Sequence, residues 1–248
     1  MQYGLIGRSL KHSFSPQFFS EKFEKEGIAK AHNYKLFPLE HIEQIQELWT
    51  IPNLRGLNVT IPYKEAVLPF LDRLDPIAAE IGAVNTIAFR SGEKWGFNTD
   101  IVGFEKSLMA FLDSSSIDVE ALILGTGGAS KAVQYTLKRM RIPFKLVSRT
   151  ASENCLSYEA LNKEIISSHL LIINTTPLGT YPEINTSPKI PYEFLTESHY
   201  TYDLIYNPKW TKFLKLAKAR GAKTCNGYEM LRLQALEAWS IWNAHDIL

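Results

Sequence analysis

The sequence predicts an α/β fold with two domains. Strand-like and helix-like segments alternate along nearly all of its 248 residues, and parallel strands require such crossover helices. A strand predicted at 119–124 leads into a glycine turn and then a helix, an arrangement typical of Rossmann-like domains. At ~150 residues per domain, the length suits two modest domains or one large one. We therefore expect parallel sheets, with a Rossmann-like fold in the second domain.

Hydrophobic periodicity and turn residues locate the individual elements. Ser15-Pro16 is expected to start the first helix as an N-cap followed by proline, and Gly27 to end it. A turn at Ser91-Gly92 is expected to join two neighbouring strands. The predicted strands are 2–6, 33–37, 54–59, 83–89, 94–97, 119–124, 143–147, 169–173 and 200–205. The other predicted helices are 41–49, 103–112, the glycine turn to about 140, 158–166, 208–220 and 227–242.

Composition and charge exclude several classes of protein. The chain has 27 Lys and Arg against 26 Asp and Glu, so it is not a nucleic-acid binder that relies on bulk charge. Cys155, Cys225 and the six histidines fit no zinc spacing or disulfide framework, so no metal is expected. We expect a cytoplasmic protein without membrane contact, because no secretory signal or apolar run of ~18 residues is visible.

The glycine turn approximates the G-x-G-x-x-G/A pattern of dinucleotide-binding folds. Gly125 permits a tight turn, Gly127 lets backbone N–H groups approach a pyrophosphate, and small Ser130 lets the helix pack close to its strand. The N–H groups at the helix N-terminus favour phosphate. A purely structural turn is the alternative. The turn comprises Gly125, Thr126, Gly127, Gly128, Ala129 and Ser130.

The end of the next strand indicates which dinucleotide is bound. An acidic residue there binds a ribose 2′-hydroxyl, whereas an arginine accommodates a 2′-phosphate. This sequence has Ser148-Arg149-Thr150 and no acidic residue at that point, so NADP is favoured over NAD. Glu153 follows closely and would weaken phosphate binding by repulsion. A solvated surface arginine is the alternative interpretation of Arg149.

Three polar clusters lie at the ends of predicted strands in the first domain. Strand ends are where open α/β sheets bind their ligands, although each Asn or Thr alone is more often turn chemistry. Together the clusters suit a pocket that hydrogen-bonds a polyhydroxylated small molecule. They are Ser13-Phe-Ser15-Pro16, Asn58-Val-Thr60-Ile-Pro62-Tyr-Lys64, and Ala83-Val-Asn85-Thr86 with Asn98-Thr99-Asp100.

These motifs, in this order and spacing, resemble the shikimate dehydrogenase family across essentially the whole chain. Any one motif is weak, but the set is specific. The match is carried by S-x-S-P at 13–16, N-V-T-x-P-x-K at 58–64, G-A-V-N-T at 82–86, N-T-D at 98–100, G-x-G-G-A-S at 125–130, S-R-T at 148–150, Y-D-x-x-Y at 202–206 and G-x-x-M-L-x-x-Q at 227–234.

The resemblance implies reduction of 3-dehydroshikimate to shikimate with NADPH, in the biosynthesis of chorismate and aromatic amino acids. It implies a substrate domain of residues 1–100 plus 227–248, an NADP-binding domain of residues 101–226, and a cleft between them. Lys64 and Asp100 match the catalytic pair. The substrate contacts matched are Ser13, Ser15, Asn58, Thr60, Asn85, Tyr206 and Gln234, and the cofactor contacts are 125–130, Ser148, Arg149, Thr150, Leu204 and Gly227.

The chemistry of a ketone reduction agrees with these roles. The developing alkoxide needs a proton, which a lysine ammonium can donate and, in the reverse direction, take back. A carboxylate nearby would orient that lysine, so we hypothesise that Lys64 is the general acid/base and Asp100 its partner. A solvated lysine is the alternative for Lys64 taken alone.

Two other functions stay open at this stage. One is a quinate/shikimate dehydrogenase that uses NAD, and the other is a catalytically silent nucleotide-binding sensor on the same scaffold. Arg149 argues against the first, and the presence of both Lys64 and Asp100 argues against the second. The expected partners are small molecules, with the protein acting as a monomer or homodimer.

Overall fold

The computed structural model describes residues 1–11, 13–112 and 119–244, which form two compact units. Unit 1 comprises Met1–Thr99 together with the chain from Ala235 onward, and unit 2 comprises Asp100–Gln234. The chain therefore returns to unit 1 inside its last helix. The functional division at residues 100 and 226 stays a prediction.

Unit 1 contains a six-stranded mixed sheet. β1 pairs in parallel with β2 and β3, whereas β5 runs antiparallel to β3 and β6. The strand pair expected around Ser91-Gly92 is the hairpin β5–β6, and its antiparallel pairings make this sheet mixed rather than wholly parallel. The strands, in spatial order β2-β1-β3-β5-β6-β4, are β1 Gln2–Gly7, β2 Asn33–Pro38, β3 Leu54–Val59, β4 Arg73–Leu74, β5 Thr86–Arg90 and β6 Glu93–Phe97.

Short helices and the end of the last helix cover this sheet. Trp242 of that helix is buried, and its Nε1 donates a hydrogen bond to the carbonyl oxygen of Ile87 at 2.9 Å. Trp242 shares a core with Tyr3, Phe19 and Phe23, so the first and last parts of the chain build one aromatic cluster. The helices are α1 Ser15–Lys25, α2 Ile45–Leu48, α3 Tyr63–Ala66 and α4 Pro76–Ile81, with 3₁₀ turns at Ile42–Gln44 and Leu68–Phe70.

Unit 2 contains a six-stranded sheet whose described pairings are all parallel. The chain runs from β7 outward to β8 and β9 and then crosses to β10 on the other side of β7, which creates a switch point where such folds bind ligands. The strands, in order β12-β11-β10-β7-β8-β9, are β7 Ala121–Leu124, β8 Phe144–Ser148, β9 Cys155–Ser157, β10 Leu171–Asn174, β11 Tyr200–Asp203 and β12 Lys223–Asn226.

The helices of unit 2 pack on its strongly apolar sheet, since every residue of β7 and β10 is buried. Within the described ranges, no helix combines the length and apolar character needed to cross a bilayer. The helices are α5 Asp100–Phe111, α6 Gly128–Arg139, α7 Lys163–Ser168, α8 Lys212–Lys218 and α9 Tyr228–Asn243, with 3₁₀ turns at Tyr158–Ala160 and Tyr192–Phe194.

Several helix boundaries differ from the prediction, and two of these differences concern how a helix is capped. Ser15 is the first residue of α1 rather than its cap, since the N-cap position is taken by Phe14. The helix expected at 208–220 begins only at Lys212, because the Thr211 side chain caps it by accepting a hydrogen bond from the N–H of Leu214. The end of α1 was predicted correctly, with Gly27 in the left-handed region at φ 71°.

Candidate active site

A buried hydrogen-bonded network joins two of the three polar clusters, the one around Asn58 and the one that contains Asn85 and Thr99. The Asn58 amide, near the end of β3, donates to the carbonyl oxygen of Asn85 at 3.4 Å and to Thr86 Oγ1 at 3.3 Å. Asn85 Oδ1 accepts the N–H of Thr99 at 2.7 Å, and Asn85 Nδ2 donates to Thr99 Oγ1 at 3.0 Å. The structure thus brings Asn58 and Asn85 together, as expected for walls of a polar pocket.

The network continues to β2 through Tyr34, which the sequence motifs did not single out. The Tyr34 hydroxyl donates to Asn58 Oδ1 at 2.7 Å. Burial raises the pKa of Tyr34, and the Ser15 side chain opposes that rise. Ser15 is buried at the start of α1, while Ser13 and Thr60 are half-buried.

The segment carrying Lys64 is fixed by its backbone. The N–H of Thr60 donates to the carbonyl oxygen of Ile6 at 2.9 Å, and the carbonyl oxygen of Lys64 accepts the N–H of Val84 at 2.7 Å. Lys64 lies in α3, immediately after Tyr63, whose hydroxyl donates to the carbonyl oxygen of Leu39 at 2.7 Å. The half-buried Lys64 side chain thus projects from a short helix held at several points.

Three further candidates belong to unit 2. Asp100 is the first residue of α5 and follows the buried Thr99. Gln234 is buried on α9, where a Cβ on Gly103 of α5 would lie 3.0 Å from the Gln234 Cβ. Tyr206 is half-buried just beyond β11. Asp100 and Gln234 therefore lie on two closely packed helices.

The glycine turn of unit 2 has the geometry expected of a phosphate-binding turn. Gly125 adopts φ 107°, where a side chain would also meet Thr175 Oγ1 at 2.8 Å. Gly127 has no heavy atom within 4 Å of the position a Cβ would occupy, so its backbone is open to approach. α6 begins directly after Gly127, which provides no side-chain cap, and Ser130 is fully buried. Uncapped N–H groups beside an open turn fit a dinucleotide pyrophosphate.

The turn after β8 holds the predicted 2′-phosphate site. Ser148 Oγ donates to the carbonyl oxygen of Thr150 at 2.5 Å, which shapes the turn, and Arg149 is exposed. Arg149 acts electrostatically on Tyr158, opposing the burial that raises the pKa of this tyrosine to about 12. Glu153 is exposed in the turn that leads to β9. The positive charge that would attract a 2′-phosphate and the negative charge that would repel it are therefore both present.

The loops after β10 and β11 are held by a buried carboxylate. Asp203 Oδ1 accepts from Asn174 Nδ2 at 3.0 Å and from the N–H of Ile205 at 3.1 Å, and Oδ2 accepts from Thr211 Oγ1 at 2.6 Å. Burial raises the pKa of Asp203 to about 6, and these hydrogen bonds limit the rise. Asp203 thus joins two strand ends to the start of α8.

The two remaining cofactor candidates lie against each other. A side chain at Gly227 would collide with the carbonyl oxygen of Leu204. The N–H of Leu204 donates to the carbonyl oxygen of Asn174 at 3.0 Å, and the N–H of Gly227 donates to the carbonyl oxygen of Ile205 at 3.0 Å. Only glycine therefore fits where the chain enters α9 beside the loop after β11.

Comparisons with known proteins identify the family to which this chain belongs. Residues 5–87 match the family described as the shikimate dehydrogenase substrate binding domain. A shikimate dehydrogenase (NADP(+)) of Carboxydothermus hydrogenoformans is 39% identical over 257 residues, covering 96% of this chain and 90% of the relative. The chain belongs to the shikimate dehydrogenase family.

Two solved structures extend the comparison. The shikimate 5-dehydrogenase of Thermus thermophilus, in complex with NADP(H) and shikimate, has a TM-score of 0.85 at 32% identity, covering 98% of this chain and 93% of its own. A quinate dehydrogenase of Corynebacterium glutamicum in complex with NAD has a TM-score of 0.86 at 26% identity, with coverage of 98% and 93%. Shikimate dehydrogenase family membership confirms the resemblance and the two-domain α/β fold, whereas the roles of individual residues stay predictions.

Proposed function

We propose that this chain is an NADP-dependent shikimate dehydrogenase, which interconverts 3-dehydroshikimate and shikimate. The proposal rests above all on the 39% identity, over 96% of the chain, to a relative with this name. The polar network of unit 1 and the open glycine turn of unit 2 support it independently. We also propose a cytoplasmic enzyme with small-molecule partners, active as a monomer or homodimer.

In this proposal, the polar residues of unit 1 and two residues of unit 2 bind the substrate. Ring hydroxyls and a carboxylate need several donors and acceptors in fixed positions, which a hydrogen-bonded network provides. Asn58 and Asn85 fit this role, since each is buried and held by neighbouring polar groups. The proposed substrate contacts are Ser13, Ser15, Asn58, Thr60, Asn85, Tyr206 and Gln234.

Lys64 is proposed to hold and transfer the proton. As the carbonyl is reduced, negative charge develops on its oxygen, and an ammonium group stabilises that charge and then donates the proton. In the oxidation direction the neutral amine accepts the proton from the shikimate hydroxyl. Asp100 is proposed to orient Lys64 and to accept a hydrogen bond from a ring hydroxyl.

The residues of unit 2 fit NADP(H), which supplies or accepts the hydride when bound. The open backbone at Gly127 and the start of α6 suit the pyrophosphate, and Arg149 suits the 2′-phosphate. The close approach of Gly227 to Leu204 shapes the neighbouring loop. The proposed contacts are Gly125, Thr126, Gly127, Gly128, Ala129, Ser130, Ser148, Arg149, Thr150, Leu204 and Gly227.

Initial rates with four substrate pairs test the function. Shikimate and quinate are each assayed with NADP⁺ and NAD⁺ by following absorbance of the reduced cofactor. We expect the highest kcat/KM with shikimate and NADP⁺. Turnover mainly with quinate and NAD⁺ would instead identify a dehydrogenase like the quinate enzyme. No turnover with any pair would indicate a nucleotide-binding sensor.

Replacement of Arg149 tests the choice of cofactor. Arg149→Ala is expected to raise KM for NADP⁺ by about tenfold or more, because a charge-assisted hydrogen bond contributes about 1.5–3 kcal/mol. KM for NAD⁺, which lacks the 2′-phosphate, should stay the same. The exposed Arg220 of the same unit provides the control Arg220→Ala. Equal changes for both cofactors would argue against a 2′-phosphate contact.

A further inference from the structure

The side chain of Tyr34 holds one of the proposed substrate contacts from a different strand. Asn58 is in β3, and the Tyr34 hydroxyl, on edge strand β2, donates to Asn58 Oδ1 at 2.7 Å. The two residues are 24 positions apart in the sequence.

The hydrogen bond from Tyr34 determines how the Asn58 amide is turned. A phenol that donates to Oδ1 requires the amide oxygen to face β2, so Nδ2 faces β5. There it lies 3.4 Å from the carbonyl oxygen of Asn85 and 3.3 Å from Thr86 Oγ1, which are long for hydrogen bonds. The 2.7 Å bond from Tyr34 is the short contact of this amide, so Tyr34 contributes most to its orientation.

The ring of Tyr34 is itself held in place. It stacks on Phe19 of α1, with centroids 4.5 Å apart and planes at 13°. Phe19 is fully buried, and its ring lies 5.3 Å from that of Trp242. Burial also raises the pKa of Tyr34, so the hydroxyl keeps its proton at neutral and moderately alkaline pH. Tyr34 is therefore a rigid donor and not a mobile surface tyrosine.

We propose that Tyr34 is a positioning residue for shikimate binding, which holds the Asn58 amide in the orientation that receives the substrate. The inference rests on the proposed function and extends it to a residue outside the proposed contacts. Tyr34 acts through Asn58 and is not itself a catalytic residue. Its loss should therefore weaken substrate binding more than it slows the chemical step.

Tyr34→Phe removes the hydroxyl and leaves the ring that stacks on Phe19. We expect KM for shikimate to rise about tenfold, with kcat within about threefold and KM for NADP⁺ within about twofold of wild type. Tyr3→Phe is the matched control, because Tyr3 is a buried tyrosine of the aromatic cluster that also contains Phe19. This control should leave KM for shikimate unchanged. Partial unfolding would lower the apparent kcat without changing KM. A loss of folded protein can therefore be distinguished from weaker binding of shikimate.

A double-mutant cycle with Asn58→Ala tests whether the effect passes through Asn58. In that background, Tyr34→Phe should change KM for shikimate by less than about twofold, because the partner is already gone. An unchanged KM in the single variant, or the full tenfold effect in the double variant, would overturn the positioning role. If the wild-type chain turns over NADP⁺ with shikimate but Tyr34→Phe behaves as wild type, the inference alone fails. If the wild type does not turn over shikimate, the proposed function fails and this inference fails with it.

Discussion

Replacing Lys64 by alanine is expected to lower kcat for shikimate oxidation by about three orders of magnitude. A positioned general acid/base contributes typically about 10²–10⁴-fold to the rate, and the ammonium also stabilises the charge that develops on the reacting oxygen. KM for shikimate should change only a few-fold, because the proposed binding contacts, Asn58 and Asn85 of the polar network among them, are unchanged in this variant. The measurement is steady-state kinetics at saturating NADP⁺.

The design of the Lys64 experiment follows from its location. The carbonyl oxygen of Lys64 accepts the N–H of Val84, and alanine keeps that backbone contact, so the fold around α3 should be retained. Lys25, an exposed lysine of α1 in the same unit, gives the control Lys25→Ala, which should have wild-type kinetics. A kcat for Lys64→Ala within about tenfold of wild type would rule out the proton-transfer role.

Replacing Asp203 by asparagine is expected to remove a pH-dependent change of about 3 kcal/mol in the free energy of unfolding. Burial raises the pKa of Asp203 from 3.8 to about 6 in the folded state, and each pKa unit corresponds to about 1.4 kcal/mol. The folded state therefore holds this proton more tightly than the unfolded state. The stabilising contribution of the protonated carboxyl is complete below pH 3.8 and is lost as pH rises through about 6.

Asparagine lacks this titration and keeps an amide oxygen for Asn174 and Ile205, while Thr211 can turn to accept a hydrogen bond. The stability of Asp203→Asn relative to wild type should thus increase between about pH 4 and pH 7. Urea unfolding of both proteins at several pH values measures the difference, in which titrations common to both cancel. A constant difference across this range would contradict the raised pKa.

Several features of the fold follow from local sequence. The strand predicted at 54–59 is β3, Leu54–Val59, in a segment that is bounded by Pro52-Asn53 and by Pro62. Ser91 and Gly92 both adopt positive φ, 49° and 82°, as the hairpin turn between β5 and β6 requires. The glycine turn also lies where expected, because Gly125 needs a conformation that other residues avoid.

Other features depend on contacts that sequence alone does not show. β4, β9 and β12 have two to four residues, too few for a periodic pattern, and neighbouring strands define them. Helix α4 was missed although Asp75 caps it, proline follows, and Gly82 ends it at φ 68°. Those residues were a usable signal. Tyr34 has no such signal, since its role arises from a hydrogen bond to a residue 24 positions away.

The split composition of unit 1 has a consequence for protein synthesis. Its aromatic cluster combines Tyr3 and Phe19, which are synthesised before unit 2, with Ala238 and Trp242, which are synthesised after it. Unit 2 instead draws all its residues from the continuous stretch Asp100–Gln234. On the ribosome, unit 2 can therefore complete its core while the N-terminal part of unit 1 still exposes aromatic side chains. This part of unit 1 is then the portion of the nascent chain in greater need of protection by chaperones.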